Sequence, residues 1–313
     1  MKSAILVHLL GWRSERTEFE LDGGVTLCRT EGTEVERLYH HLCEAQKIDE
    51  GDPFNFPSHI LLSDEAHDDF FADWGGPFSA ISRCCNIIAI CTSSPLGMCR
   101  LLTTKDDFHS EWIPSQRVYD QGPDLAVLRG YPDFLEISSD TAITVQGEHF
   151  PALDDEIMRR IAVCWSTHLR LLSTRDIDNH RIDNALSYFF YSWRSYYLDH
   201  VCLNLAIVLE SLFAPSSAQE VSHQIAFNVS RFCEKNPVKR EDIYKTIKKF
   251  YAVRSQIVHG GRPRNGDLFA QTPRVFHLCA RILDTILSDY ALAQRFCHEE
   301  KRRTLFSEWL FGG

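Results

Sequence analysis

Near the C-terminal end of this 313-residue chain, the segment Tyr251-Ala-Val-Arg254-Ser255-Gln-Ile-Val-His259-Gly260-Gly261 sets an arginine ahead of a histidine with four residues between. A guanidinium that grips phosphate oxygens and an imidazole that exchanges a proton suit chemistry on phosphodiesters. Ile243, Ile247, Phe250, Arg254 and Ile257 recur at the spacing of one face of an amphipathic helix, with Arg254 standing where an aliphatic residue is expected. An unpaired buried charge is costly, so this guanidinium needs a partner. Glu210, the acidic residue in the apolar run Leu205-Ala-Ile-Val-Leu-Glu210-Ser-Leu-Phe, is the candidate. The face of the same helix that holds His259 reads Glu241, Lys245, Lys248, Ala252, Ser255, His259. Lys245 and Lys248 are placed to meet a nucleic-acid backbone, and the two small residues leave the histidine approachable. His259 lies about 140° around an ideal helix from Arg254, so aiming both at one phosphate takes the long arginine stem or a second subunit. The alternative is structural: Arg254 as an ion-pair partner of Glu210, and His259 as a polar residue at the last free carbonyls.

The elements that must position these residues are well punctuated. Asn236-Pro237 predicts the start of the motif helix and Gly260-Gly261 its end, while Pro273 predicts the opening of another helix. Ser217 and Glu220 have capping-box spacing. From Asp154 the chain reads as helical: one segment to about Ser173, a second from about Ile182 to Phe213 that either continues through or breaks near Asp199, and more to the end, about five helices in all. The first 150 residues read as short strands at Ala4–Leu10, His59–Leu62, Asn86–Cys91, Cys99–Thr103, Leu125–Leu128 and Ala142–Gln146, with a helix between Thr33 and Lys47. The expected class is α+β, with a mixed domain at 1–150, a helical connector at 151–180 and an all-α bundle at 181–313.

An aromatic-rich helix (Tyr188–Tyr197), an apolar helix carrying Glu210, a capped helix and a helix closing on Arg254-x4-His259-Gly together resemble the HEPN superfamily, most closely its Apea-like branch, over residues of about 180–290. The resemblance implies a metal-independent endoribonuclease that works without a cofactor as a homodimer through this domain, with RNA as substrate. It implies that Arg254 binds the scissile phosphate and that His259 exchanges the proton, giving 2′,3′-cyclic phosphate and 5′-hydroxyl ends. Ser255 stands where such motifs often carry Asn, Asp or His, and it keeps a hydrogen-bonding group. Glu210 becomes a supporting residue that positions Arg254. Family members that pair with a nucleotidyltransferase carry a tyrosine where this chain has Gly261. Many similar proteins are toxin-like or antiphage effectors, so the N-terminal domain is expected to sense a phage-derived or small-molecule trigger, or to restrain the nuclease. The rival implied by the same resemblance is a non-catalytic scaffold or an RNA-binding dimerisation module.

Composition bounds the rest. Apolar runs such as Ile87–Cys91 and Leu205–Leu209 fall short of the roughly 20 residues of a membrane span, so no membrane partner is expected. Arg13, Glu15 and Arg16 follow the first short apolar run too soon for a secretory leader, which makes the cytoplasm the default. Eleven cysteines without a C-x-x-C pair fit neither a disulfide framework nor a zinc ribbon, and Cys84-Cys85, on a strand, would face opposite ways. No metal site is expected. Net charge is −10 but unevenly spread: residues 181–313 hold 18 Lys and Arg against 13 Asp and Glu, and residues 1–180 hold 15 against 30. Such asymmetry points to a polyanion for the basic part. Asp64-Glu65-Ala66-His67 has no phosphate-cradling loop to work with. His40-His41 would point about 100° apart on a helix, too far to share a metal.

Overall fold

The computed structural model describes residues 3–8, 14–29, 58–62, 80–93, 97–102, 153–174, 180–195, 197–214, 221–261, 263 and 265–311. They divide into two compact units, 1–166 and 167–313, with the division inside the expected connector. The layout is α+β.

The first unit contains a five-stranded antiparallel sheet in the order β2-β3-β4-β1-β5, made of β1 (Ser3–His8), β2 (Glu18–Leu21), β3 (Val25–Arg29), β4 (Ser58–Leu62) and β5 (Gly97–Leu102). Three of these strands match the expected ones. The hairpin β2–β3 does not appear among them, although its signal is present: apolar Phe19, Leu21, Val25 and Leu27 alternate around Asp22-Gly23-Gly24. Both glycines take positive φ, 72° and 75°, which other residues adopt only at a cost.

The expected strand at Asn86–Cys91 is a helix, α1 (Ala80–Thr92). Every residue from Cys84 to Cys91 is buried, so no polar face exists to give the helical period. Cys84 and Cys85 are therefore helical neighbours inside the core, not residues on opposite faces of a strand. Burial, with Cys85 adding to it, pushes the Cys84 thiol well above its ordinary range. Ser93, at φ 53°, follows the helix. The first turns of α2 (Asp155–Ser173) belong to this unit, fixed where the Trp165 indole donates to the Asp22 carbonyl at 2.7 Å and Ser14 donates to Asp155.

The second unit is helical: α3 (His180–Arg194), α4 (Leu198–Phe213), α5 (Val221–Cys233), α6 (Pro237–Val258), α7 (Asn265–Leu287), α8 (Tyr290–Cys297) and α9 (Glu299–Phe311). With α2 that makes eight helices from residue 155 onward among the described residues, where about five were expected. The extra ones come from the separation of α3 and α4, which the sequence left open, and from the two helices that follow α7. α4 is the central element, burying Val201, Cys202, Leu205, Ala206, Val208, Leu209, Leu212 and Phe213. It packs on α3, α5, α6 and α7.

Pro273 does not open a helix; it lies inside α7. Its missing N–H costs one backbone bond. The helix continues because both sides of the proline are held in the core, with Gln271 and Thr272 buried before it and Val275, Phe276 and Cys279 after it. The expected helix at 33–47, the strands at 125–128 and 142–146, the capping box at 217–220 and the Asp64–His67 segment lie outside the described residues.

Candidate functional site

The site is built by α4, α6 and the start of α7. α6 begins where Asn236 accepts hydrogen bonds from the Val238 and Lys239 amides, with Pro237 in the first turn. Such a cap contributes about 1 kcal/mol. The helix ends at His259 in a Schellman turn. The Gly260 amide donates to Ile257 at 3.1 Å and the Gly261 amide to Gln256 at 2.7 Å, with Gly260 at φ 74°. Both ends fall where the sequence placed them. His259 is thereby fixed as the C-cap, and its side chain is exposed.

Arg254 leaves the apolar stripe toward α4. Its guanidinium meets the Glu210 carboxylate at 3.4 Å, with the two side chains 32% and 29% exposed. The structure thus brings these two residues together at the edge of the core, neither sealed in nor loose. The Arg254 Nε–H is buried and makes no hydrogen bond among the described residues.

Tyr251 and Cys202 lie beside the pair, with Thr272 against Cys202, and sequence reading missed all three. Tyr251 is buried, one helical turn before Arg254, with its hydroxyl 3.5 Å from the Ala206 carbonyl. Burial, and then the neighbouring Glu210 carboxylate, hold its phenol well above the ordinary value against the opposing Arg254 charge. Cys202, two turns before Glu210 on α4, has its thiol pushed up to about 12 by burial, while the Thr272 hydroxyl and the Arg254 charge pull the other way. Cys202, like any buried thiol on an apolar helix, carries no sequence signal that separates it from an ordinary core residue. Tyr251 had none that separates it from an ordinary core aromatic.

The remaining candidates lie on the outer face of α6. Ser255 is exposed, and its carbonyl accepts from the His259 amide at 3.1 Å. Lys245 is exposed and pairs with Glu241 at 2.6 Å one turn earlier, an interaction that lowers the carboxyl's pKa and raises the ammonium's. Lys248 is half-buried and donates to the Ser222 hydroxyl at 3.2 Å across to α5. Arg254 and His259 therefore both reach the surface of α6, on different sides of the helix. A single phosphate that met both would need the arginine stem or a second copy to close the angle.

Comparison with protein-family models, curated proteins and solved structures returned no match. Among the described residues, no helix is long and apolar enough to cross a membrane.

Proposed function

We propose that the helical unit is a HEPN-type endoribonuclease acting as a homodimer, with Arg254 and His259 as its catalytic pair. One observation supports this reading above the others. Arg254 keeps 32% of its side chain open while Glu210 grips it from one side, and His259 stands exposed where the same helix ends. That opening leaves the guanidinium within reach of a phosphate.

In the proposed reaction Arg254 holds the scissile phosphate and offsets the charge that develops on its oxygens. The ribose 2′-oxygen attacks the adjacent phosphorus as one His259 imidazole takes its proton. The bond from phosphorus to the 5′-oxygen breaks, and a protonated His259 of the second copy supplies a proton to the leaving oxygen. The products are a 2′,3′-cyclic phosphate and a 5′-hydroxyl, with no water consumed. Ser255, exposed beside His259 on the same face, offers a hydroxyl to the substrate. A toxin-like or antiphage role, with the N-terminal unit sensing a trigger, accompanies this reading.

The test is incubation of the purified protein with total RNA in EDTA, followed by mapping of the ends. Cyclic phosphate and 5′-hydroxyl ends are expected. His259→Ala should lower cleavage by about two to four orders of magnitude, the usual range for loss of a proton-transfer group, and Arg254→Ala by about two to three, the range for loss of a group that stabilises transition-state charge. Their melting temperatures should stay near that of the parent. The contact between Glu210 and Arg254 favours a second reading, a non-catalytic scaffold or RNA-binding dimerisation module in which the pair holds the fold. Intact RNA, together with unfolding of Arg254→Ala, would establish that reading instead.

A further inference from the structure

The N-terminal end of α5 meets the middle of α6 in a hydrogen-bonded polar cluster that the catalytic pair does not use. Lys248 donates to the Ser222 hydroxyl at 3.2 Å. One residue on, His223 Nδ1 lies 2.7 Å from the Tyr244 hydroxyl, and the two rings stand edge to face with centroids 5.7 Å apart. His223 is exposed, and Ser222, Tyr244 and Lys248 are half-exposed. In the tautomer whose Nδ1 accepts from the Tyr244 hydroxyl, the neutral ring carries its proton on Nε2 as a donor. An ammonium, a hydroxyl and an imidazole N–H thus gather at the positive end of a 13-residue helix. Acids are near as well. Glu241 is occupied by Lys245, and Asp242 is exposed, so with Lys248 and Lys249 this stretch of α6 keeps a net positive charge.

The direction of the row matters as much as its charge. On an ideal helix Lys248, Ser255 and His259 fall within about 40° of one another, with Tyr244 about 20° outside that arc. Only Ala252 and Ser255, small and exposed, stand between the cluster and the histidine. The eleven residue steps from Lys248 to His259 span about 16 Å at 1.5 Å per residue. That length covers a few consecutive phosphates of a single strand.

We propose that Ser222, His223, Tyr244 and Lys248 form a subsite for the phosphate backbone of single-stranded RNA, several nucleotides from the bond cut at His259. The position assigned relative to the cut rests on the nuclease reading above; binding itself does not. Lys248 and the Ser222 hydroxyl take a phosphate, His223 donates to the same group, and Tyr244 fixes the imidazole while offering part of its ring to a base.

The test uses the full chain carrying His259→Ala and a fluorescently labelled single-stranded RNA, with anisotropy followed across salt. Lys248→Met should weaken binding about tenfold at low salt and shrink the slope of log affinity against log salt by about 0.7, one single-strand phosphate contact. His223→Ala and Tyr244→Phe should each weaken it about threefold, and Lys248→Arg should restore the slope. Unchanged affinity in Lys248→Met and His223→Ala, or no binding by the parent, overturns the subsite. So does displacement by adenosine monophosphate as efficient as by unlabelled RNA at equal phosphate, which would assign the cluster to free nucleotides. Because no cleavage is measured, lost binding in these variants stands even if the unmutated protein leaves RNA intact.

Discussion

At the scale of the residue, the role proposed for Arg254 turns on its contact with Glu210. An ion pair about one-third open to water contributes little to stability, on the order of 1 kcal/mol or less, because solvent screens it. Its value lies in direction: a carboxylate on one side leaves the opposite edge of the guanidinium facing outward. Glu210→Gln keeps the size and removes the charge. It should lower single-turnover cleavage about tenfold, equivalent to about 1.4 kcal/mol of transition-state stabilisation, with the melting temperature shifted by only a few degrees. An unchanged rate would make Glu210 a bystander, and loss of the fold would make the pair structural. Both partners were legible in the sequence for one physical reason, since each is a charge on an otherwise apolar helical face. Tyr251, Cys202 and Thr272 were not, because an aromatic, a thiol and a hydroxyl look alike in a core and beside a guanidinium. Thr272 was further hidden by standing next to Pro273, where the chain was expected to begin a helix and instead continues one.

At the scale of the element, α6 is a lever whose two ends are fixed by different chemistry, and His259 sits at the more demanding end. Gly260 takes φ 74°, and a Cβ added there would meet nothing within 4 Å. Gly260→Ala therefore carries backbone strain alone, about 1–2 kcal/mol, without a clash. That strain can be relieved by undoing the Schellman turn, which carries His259 off its position. Gly260→Ala should lose both stability and cleavage, while Gly260→Asn, whose side chain tolerates the left-handed region, should recover most of each. Equal cleavage in the two variants at unequal melting temperatures would separate the turn from the site. Helix ends with such caps are legible because each stop has a specific residue requirement. α1 was not, because a helix buried on every side has no polar face, and a short apolar run then reads equally well as a strand. The hairpin β2–β3 marks the opposite case: its alternation and its two left-handed glycines were present and went unread.

At the scale of the whole molecule, charge sets the problem. The division after Ser166 leaves 13 Lys and Arg against 28 Asp and Glu in the first unit, and 20 against 15 in the second, a contrast of −15 and +5. On the proposed reading, RNA drawn to the lysines of α6 would be repelled by an acidic unit on the same chain, and that repulsion is long-ranged only at low salt. The Debye length falls from about 30 Å at 0.01 M to about 8 Å at 0.15 M ionic strength. Removing residues 1–150 leaves α2 whole while discarding most of the acidic charge, although it also removes the Asp22 carbonyl that accepts from Trp165. RNA cleavage by the shortened chain should exceed that of the full chain several-fold at 0.01 M salt, and the two rates should converge as salt approaches 0.15 M. Equal rates at every salt concentration would remove the idea that the acidic unit restrains the nuclease. A gain that does not depend on salt would assign the restraint to steric cover, because charge repulsion between exposed groups cannot escape screening.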